Sequence, residues 1–299
     1  MVVTDHHFVF VCGLQRSGTT MLYRYLGEHP AISALEGTAR ATNEGQHNQS
    51  VYPADEYHSK GGQFAFRKDA RLTEASPLLT GANREKLFAE WSRYWDTSAE
   101  ILLEKSPPNV IRTRFLQAMF PNSSFIAIVR HPIPVTLATS RWGKVKPHTL
   151  MRHWMKAHGY LVEDAPHLRR LHVMRYEDLV ADPDAEMGRA FSFLGLSDHA
   201  AGRERGEGLN ADNFEKDRTL RTGVNDKYFQ LWRDRRRDPV RHLYYDAIDL
   251  AFERPASRYG YSMRHPERLS RATAPLPGLA DAGSVRGMAA RPVADSRQS

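Results

Sequence analysis

Residues 13–20 hold the arrangement in this sequence that is best suited to chemistry. They read Gly-Leu-Gln-Arg-Ser-Gly-Thr-Thr, so two glycines enclose four residues, and one arginine lies among three hydroxyl side chains. Glycines at this spacing let the backbone curl until successive N–H groups point inward, which is how a P-loop cradles phosphate. We therefore predict that an anionic ligand binds to Arg16, Ser17, Gly18, Thr19 and Thr20.

The same loop departs from the one that nucleoside triphosphatases use. Those enzymes place a lysine after the second glycine and an acidic residue near the end of another strand, where it helps to hold magnesium. Here Thr19 occupies the lysine position, Arg16 lies within the loop, and the apolar run at residues 124–129 ends in Arg130. We therefore predict an anion site that uses its own cations without a divalent metal. A P-loop kinase or triphosphatase is the competing enzyme, and a strict requirement for magnesium would favour it.

Strands and helices that alternate along the chain must position these residues. Continuous apolar, β-prone runs predict strands buried on both faces at residues 8–12, 124–129 and 171–175. Helical patterns cover residues 19–28, a segment that closes at 116–120, a segment from about Pro134, and residues 185–194 and 228–253. This alternation predicts a P-loop-type, three-layer α/β fold in which helices flank a central parallel sheet and a ligand binds at the carboxyl ends of the strands. Residues 41–81 are polar and rich in turns, which indicates loops or a lid.

The 299 residues are enough for one large domain, which we predict to span residues 1–264. Residues 265–299 are rich in Ala, Pro, Ser, Gly and Arg without a sustained apolar period, which predicts a disordered basic tail. No apolar run reaches the roughly 20 residues that span a bilayer, and the N-terminus lacks the features of a signal peptide. The single cysteine, Cys12, offers neither a disulfide framework nor a thiolate zinc site. We therefore expect a cytoplasmic protein without a membrane span.

Two longer motifs and their order resemble one known family. The segment CGLQRSGTTMLYRYL at residues 12–26 resembles the 5′-phosphosulfate-binding loop of the sulfotransferase family, in the branch of tyrosylprotein and bacterial sulfotransferases. The segment FIAIVRHPIPVTLATS at residues 125–140 is similar to the 3′-phosphate-binding motif of that family. Shorter matches are EKSPP at 104–108, RYEDL at 175–179 and RTGVN at 221–225. Together the matches cover the chain from about residue 8 to residue 264.

The resemblance implies that the donor is 3′-phosphoadenosine-5′-phosphosulfate (PAPS), bound as a co-substrate without a metal. The glycine loop would bind its 5′ end, and Arg130 would grip its 3′-phosphate in a bidentate pair. The family commonly has a serine eight residues after this arginine; Ala138 occupies that position here, with two hydroxyl residues beside it, so the hydroxyl partner stays open. Tyr176 would contact the adenine and Arg221 would add a second cation, although an ordinary half-buried tyrosine and a solvated arginine explain them about as well.

Sulfuryl transfer also needs an in-line approach of the acceptor oxygen and a base that takes its proton. Members of the family use histidine or glutamate as this base. Glu36 matches the placement in the tyrosylprotein branch, whereas Glu44 and His47 lie in a block similar to one in some bacterial members. We expect Glu36 or Glu44 to be the base, with His47 third. Lys105 would neutralise charge on the leaving oxygen, or else form an exposed pair with Glu104.

The predicted activity is thus transfer of a sulfuryl group from PAPS to a hydroxyl of a small organic acceptor. The sequence leaves the acceptor and the oligomeric state open. Several aromatic residues either line an acceptor pocket or belong to the core: Tyr52, Tyr57, Phe64, Phe66, Trp91 and Trp95. The net charge of +7 raises a basic nucleic-acid-binding protein as the non-enzymatic alternative. The sequence contains no recognised nucleic-acid-binding module, so we expect no such partner.

Overall fold

The computed structural model describes residues 6–40, 42–55, 62–143, 145–197 and 225–279. Its centre is a five-stranded sheet of β1 (His7–Gly13), β2 (Ile32–Ala34), β3 (Ile101–Lys105), β4 (Ser123–Val129) and β5 (Leu171–Arg175). The strands lie in the order β2-β3-β1-β4-β5, and every pairing is parallel. Because all the strands run in one direction, their carboxyl ends meet at the same edge of the sheet.

Helices cover both faces of this sheet. They are α1 (Thr19–Gly27), α2 (Gly81–Trp91), α3 (Thr113–Met119), α4 (Pro132–Gly143), α5 (Pro147–Asp164), α6 (Tyr176–Ala181), α7 (Pro183–Leu194), α8 (Asp226–Arg237) and α9 (His242–Ser257). One buried cluster joins α1 and α7 to the sheet, and a larger one joins α2, α3, α5, α8 and α9 to its other face. The predicted three-layer α/β fold with a central parallel sheet is therefore confirmed. None of the described helices is both long and apolar enough to cross a membrane.

The central strands form because their residues are apolar at successive positions. In β1, Val9 and Val11 belong to the cluster on one face, while Phe8, Phe10 and Cys12 belong to the cluster on the other. A strand that is buried on both faces has no polar side to alternate with, which explains the continuous apolar run. The predictions of strands at β1, β4 and β5 are confirmed by the observed elements.

Several elements differ from the prediction, and for two of them the physical reason is identifiable. The strand β3 was not predicted, because it ends in Glu104 and Lys105, two charged residues that are nevertheless completely buried. The helix predicted at residues 228–253 is wrong as a single element, since α8 ends at Arg237 and α9 begins at His242. Pro239 disfavours the helical conformation of the residue before it, and Asp238 is extended.

The beginning of the predicted tail packs against the sheet. The N–H of Val173 in β5 donates to the carbonyl of Pro277 at 2.8 Å, and Leu276 and Leu279 are buried. Because β5 is an edge strand, its outward N–H groups need acceptors from elsewhere in the chain. Residues 265–279 therefore pack on the domain. Residues 280–299 lie outside the described part, and the division at residue 264 stays a prediction.

The predicted loop region at residues 41–81 forms loops in its described parts, which include short 3-10 turns at Gly45–His47 and Phe64–Phe66. These loops pack on the domain, because Tyr52, Phe64 and Leu72 are buried. Glu44 makes an isolated parallel bridge to Lys105, which extends the end of β3 by one pairing. The segment before α2 is thus held at the carboxyl edge of the sheet.

Candidate active site

The glycine loop connects the end of β1 to the start of α1. Arg16 and Gly18 adopt left-handed backbone conformations, with φ of 66° and 98°. A Cβ atom on Gly18 would lie 2.4 Å from Cδ2 of Tyr176, so only glycine fits there. The Ser17 hydroxyl, which we predicted as a ligand, donates to the Leu14 carbonyl at 2.6 Å and closes the turn from within.

The start of α1 is open to an anion. Gly18 is the residue before the first turn and has no side chain to cap it. The N–H groups of that first turn have no acceptor within the helix, and they carry the positive end of the helix dipole. Thr19 and Thr20 supply such N–H groups together with their hydroxyls. The predicted loop residues therefore come together in a geometry that fits phosphate.

Arg130 follows β4 and is nearly completely buried beside this loop. Its Nη1 donates to the Arg16 carbonyl at 2.9 Å, while Nε and Nη2 donate to Oδ1 of Asn225 at 3.1 and 2.6 Å. Its guanidinium lies 4.1 Å from the ring centroid of Tyr176. A guanidinium has five N–H groups, and one on each Nη has no acceptor among the described residues. Both of these groups can therefore donate to an anionic ligand.

Glu177 holds the surroundings of Arg130 together. Its Oε1 accepts from the His131 N–H at 3.1 Å and from Nδ2 of Asn225 at 2.8 Å, and its Oε2 accepts from the Tyr261 hydroxyl at 2.8 Å. Burial raises the pKa of the Glu177 carboxyl, although the charge on Arg130 opposes this. Asn225 thus bridges Arg130 to Glu177. Sequence reasoning did not assign Asn225 to the site; its only signal was its place at the end of the RTGVN match.

The other residues predicted at the donor site are Ala138, Tyr176 and Arg221, of which the structure describes the first two. Ala138 is buried in α4 and offers no hydroxyl. Of the hydroxyls beside it, Ser140 donates to the Leu137 carbonyl at 2.9 Å, while the buried Oγ1 of Thr139 has no partner among the described residues. Tyr176 lies between Gly18 and the Arg130 guanidinium. Arg221 is outside the described residues.

A second cluster lies at the end of β3. Lys105 is completely buried, and its Nζ donates to the Thr42 carbonyl at 2.8 Å and to Oε1 of Glu44 at 3.2 Å. Burial lowers the pKa of Lys105 below its usual value, and the Glu44 carboxylate opposes that shift. The alternative of an exposed pair with Glu104 is wrong, because both residues are buried and the described partner of Lys105 is Glu44.

Glu44 and His47 belong to the same cluster. Oε2 of Glu44 accepts from Nε2 of Gln46 at 2.7 Å and lies 3.6 Å from Nε2 of His47. Burial alone would raise the pKa of Glu44, but the contact with His47, the charge on Lys105 and the bond from Gln46 lower it below its usual value. Glu44 is therefore a carboxylate at neutral pH, held beside a buried ammonium group.

The short turn that carries Glu44 is anchored to β3 through Glu104. The Glu104 carboxylate accepts from the Gly45 N–H at 2.9 Å, from the Ser106 hydroxyl at 2.6 Å and from Nδ2 of Asn109 at 2.6 Å. The Gly45 carbonyl accepts from Nε1 of Trp91 at 2.9 Å, so both the N–H and the carbonyl of Gly45 are hydrogen-bonded. Burial raises the pKa of Glu104, and these hydrogen bonds oppose the shift.

Two further hydrogen bonds tie that turn to the glycine loop. Oε1 of Gln46 accepts from the Asp55 N–H at 3.1 Å, and Oδ2 of Asp55 accepts from Nε2 of Gln15 at 2.6 Å. Gln15 precedes Arg16 in the loop. The cluster at β3 and the glycine loop are therefore neighbours at the carboxyl edge of the sheet.

Glu36 lies apart from this cluster. It follows the edge strand β2, its side chain is exposed, and its N–H donates to the Tyr94 carbonyl at 3.0 Å. Burial, followed by the charges of Glu104 and Glu36, raises the pKa of the Tyr23 hydroxyl, and the Tyr23 ring centroid lies 5.8 Å from Nζ of Lys105. Glu36 is thus close enough to Tyr23 for its charge to act there, without a described contact to Glu44 or Lys105.

The aromatic residues considered for an acceptor pocket mostly belong to the core. Four of the described ones are buried: Tyr52, Phe64, Trp91 and Trp95. Phe66 is partly exposed, and Tyr57 lies outside the described residues. Tyr52 also borders a surface cavity of about 740 Å³ between residues 50–53 and 68–78. In the described part of the chain, no three His, Cys, Asp or Glu side chains are grouped to hold a metal ion.

This parallel sheet has a glycine loop, an open helix start and a buried arginine at its carboxyl edge. These features define an α/β protein of the P-loop type. The chain belongs to the Sulfotransferase family, whose model matches residues 9–200. It is 25% identical over 263 residues to nodulation protein NoeE of Sinorhizobium fredii, covering 75% of this chain and 59% of NoeE. It is also 25% identical over 199 residues to protein-tyrosine sulfotransferase 2 of Gallus gallus, covering 63% of this chain and 51% of that protein.

The chain thus spans little more than half the length of these curated relatives. Among solved structures, it is similar to the sulfotransferase domain from the Synechococcus PCC 7002 olefin synthase. That similarity has a TM-score of 0.45 and 20% sequence identity, and it covers 71% of this chain and 83% of the domain.

Proposed function

We propose that the protein transfers a sulfuryl group from PAPS to a hydroxyl of a small organic acceptor. The observation that carries this proposal is that two groups suited to anions are joined, since Arg130 donates to the Arg16 carbonyl of the glycine loop. One is the loop at the start of α1, and the other is the pair of N–H groups on Arg130 that have no described acceptor. A donor with phosphate at both its 3′ and 5′ positions needs two such sites, and membership of the Sulfotransferase family supports this choice.

Each of these two groups is proposed to bind one end of the donor. The N–H groups of Thr19 and Thr20 and the side chain of Arg16 bind the 5′ end, where the dipole of α1 favours negative charge. Arg130 binds the 3′-phosphate, and Arg221 is proposed as a further cation for it. Tyr176, whose ring lies against the Arg130 guanidinium, is proposed to border the adenine.

The cluster at β3 has the groups that transfer itself requires. The donor supplies the sulfuryl group, and its bridging oxygen gains negative charge as the S–O bond breaks. Lys105 is proposed to neutralise that charge, because its ammonium group is buried and electrostatic effects are stronger away from water. The acceptor proton passes to a carboxylate, for which Glu44 is the first candidate because it contacts Lys105 directly. Glu36 is the second candidate, and His47 is the third.

The acceptor and the setting complete the proposal. The acceptor is a small organic molecule with a hydroxyl group, the location is the cytoplasm, and neither a nucleic acid nor a metal takes part. A panel of hydroxyl compounds, assayed with sulfur-labelled donor, would identify the acceptor class. Transfer of label to none of them, with donor binding intact, would point to a larger acceptor.

Donor binding is tested with adenosine 3′,5′-bisphosphate (PAP), the product left after transfer. Calorimetry and thermal unfolding in the presence of a chelator should show binding and stabilisation, since a ligand that binds only the folded state stabilises it by RT ln(1 + [L]/Kd). Adenosine triphosphate should bind more weakly. Tighter binding of the triphosphate, or a strict need for magnesium, would contradict the proposed donor and favour a kinase or triphosphatase.

A further inference from the structure

Trp142 differs from the other tryptophans of the chain. It lies near the end of α4 and is 53% exposed, whereas Trp91, Trp95, Trp154 and Trp232 are at most 6% exposed. A single exposed apolar residue needs no special explanation. In this case, however, a specific contact with the glycine loop accounts for the position.

The contact is with the cation of that loop. Cζ of Arg16 lies 5.2 Å from the ring centroid of Trp142, which is within the range of a cation–π interaction. Arg16 also has a left-handed backbone conformation with φ of 66°, which costs free energy for a residue other than glycine. Its carbonyl accepts a hydrogen bond from Arg130 at 2.9 Å. Arg16 is therefore held at its side chain by Trp142 and at its backbone by Arg130.

We propose that Trp142 is a positioning residue of the donor site. Its indole holds the guanidinium of Arg16 in place, so that this positive charge is already positioned when the 5′ end of the donor binds. The identity of the ligand rests on the proposed function, but the contact between the two side chains does not. Because the contact is with Arg16, loss of the indole weakens every ligand that carries the 5′ charge, whether or not it also carries a 3′-phosphate.

The contact can be tested without any ligand. Since the other four tryptophans are buried, acrylamide quenches mainly the fluorescence of Trp142. Replacing Arg16→Met should uncover the indole and increase this quenching. The matched control, Arg254→Met, changes an exposed arginine on α9 and should leave quenching unchanged. Equal quenching in the wild type and in Arg16→Met would show that the two side chains do not associate, which overturns the proposal.

The role in binding is tested with two ligands and a double-mutant cycle. Trp142→Ala should weaken PAP and adenosine 5′-phosphosulfate, which lacks the 3′-phosphate, by a similar factor of about 3 to 30. Trp142→Phe should retain most of the affinity. The control Met155→Ala, at another exposed apolar residue, should bind both ligands as the wild type does. In the Arg16→Met background, Trp142→Ala should cause little further loss, since the interaction it removes is already absent.

The outcomes separate this inference from the proposed function. An undiminished loss in the Arg16→Met background would mean that Trp142 acts without Arg16, and no loss in the wild-type background would mean that it has no role in binding. Either result, with PAP bound by the wild type, overturns this inference alone. If the wild type binds neither ligand, the proposed donor is wrong, while the quenching experiment still decides the contact. Thermal unfolding of Trp142→Ala should match the wild type, because the side chain is largely exposed.

Discussion

Arg130 and Lys105 are two buried cations whose direct partners differ in charge. The described acceptors of Arg130 are the Arg16 carbonyl and the Asn225 amide oxygen, which are both neutral. Lys105 instead contacts the carboxylate of Glu44. The Glu177 carboxyl lies near Arg130 without a described hydrogen bond to it, so the guanidinium keeps N–H groups for an anionic ligand, whereas the Lys105 ammonium is already paired with a carboxylate. At the scale of single residues, Arg130 is thus suited to binding and Lys105 to the chemistry.

The first prediction is that Arg130 discriminates between ligands with and without a 3′-phosphate. Arg130→Ala should weaken PAP by about 2 to 4 kcal/mol, because a desolvated, charge-assisted pair with the 3′-phosphate is lost. Adenosine 5′-phosphosulfate, which lacks that phosphate, should lose much less. Calorimetry of both ligands measures the difference, with Arg254→Ala as an exposed control. Equal losses for the two ligands would assign Arg130 a structural role.

The second prediction concerns the base. Glu44→Gln keeps the shape of the side chain but removes its basicity, so turnover should fall by about 10² to 10⁴-fold while PAP affinity changes little. The same assay on Glu36→Gln decides between the two carboxylates, and His47→Ala should have a milder effect. If both glutamine variants turn over at the wild-type rate and His47→Ala is inactive, the base is histidine.

At the scale of elements, two short segments depend on a strand of the sheet for their position. The turn Gly45–His47 is held by Glu104 of β3, and the segment at residues 265–279 reaches β5 through the Pro277 carbonyl. Neither segment has a regular structure long enough to be stable alone. Their positions are therefore set by a few buried contacts to the sheet, which individual substitutions can remove.

The third prediction concerns the anchor of the turn. In Glu104→Gln, an amide nitrogen faces one of three hydrogen-bond donors, so we expect a loss of about 1 to 3 kcal/mol in the free energy of unfolding. Turnover should fall, since Glu44 moves with the turn. Urea unfolding and kinetics measure both effects. Glu100→Gln, an exposed change just before β3, is the control. Wild-type stability of Glu104→Gln would show that the anchor is unimportant.

The fourth prediction concerns the segment at residues 265–279. Leu279 is completely buried, so Leu279→Ala should lower the free energy of unfolding by about 2 to 4 kcal/mol. Leu243 on α9 is 73% exposed, and Leu243→Ala should change it by less than about 0.5 kcal/mol. Urea unfolding compares the two. Similar small effects would mean that residues 265–279 do not stabilise the sheet.

The sequence predicts elements well where one physical signal dominates. Strands β1, β4 and β5 are apolar throughout, and the glycine loop marks the start of α1. β2 has only three residues, and β3 ends in charged residues whose burial depends on partners far along the chain. The same difference explains which residues of the candidate site could be predicted from the sequence. Arg130 was predictable from its place after a buried strand, whereas Asn225 and the pairing of Lys105 with Glu44 depend on how distant loops pack.

At the scale of the whole molecule, buried histidines make stability depend on pH. Burial lowers the pKa of His131 and His153 to about 3 and that of His7 and His158 to about 4, from the usual 6.5. The unfolded chain therefore binds protons before the folded one as the pH falls. The stability that these residues contribute is fully present above pH 6.5 and is lost progressively below it. Each fully buried histidine contributes about 1 kcal/mol to the loss by pH 5.5.

The fifth prediction is a fall in unfolding temperature between pH 7.5 and 5.5. Carboxyl groups whose pKa is raised by burial oppose it, because their protonation favours the folded state; they are Asp249, whose pKa rises to about 6, and Glu104, Glu177 and Glu186. The histidines outweigh them, because the usual pKa of histidine, 6.5, lies inside this range and the unfolded chain takes up its histidine protons there. His153→Phe should flatten the profile, because it removes one of these titrating groups. A phenyl ring is chosen because it can pack against the Phe64 ring as the imidazole does. The control His242→Gln, at a partly exposed histidine, should leave the pH profile of the unfolding temperature unchanged. A profile that is flat or rises toward acid in the wild type would contradict the prediction.

The hydrogen bond from Arg130 to the Arg16 carbonyl has a consequence for selectivity. If Arg130 and the glycine loop bind the donor as proposed, this bond fixes the distance between the two binding groups, because the arginine is attached to the backbone of the loop. We therefore expect the proposed site to select a ligand by the separation of its charges more than by their number. Adenosine 2′,5′-bisphosphate carries the same charge as the 3′,5′ isomer, yet its phosphates are placed differently, so it should fit one site at a time.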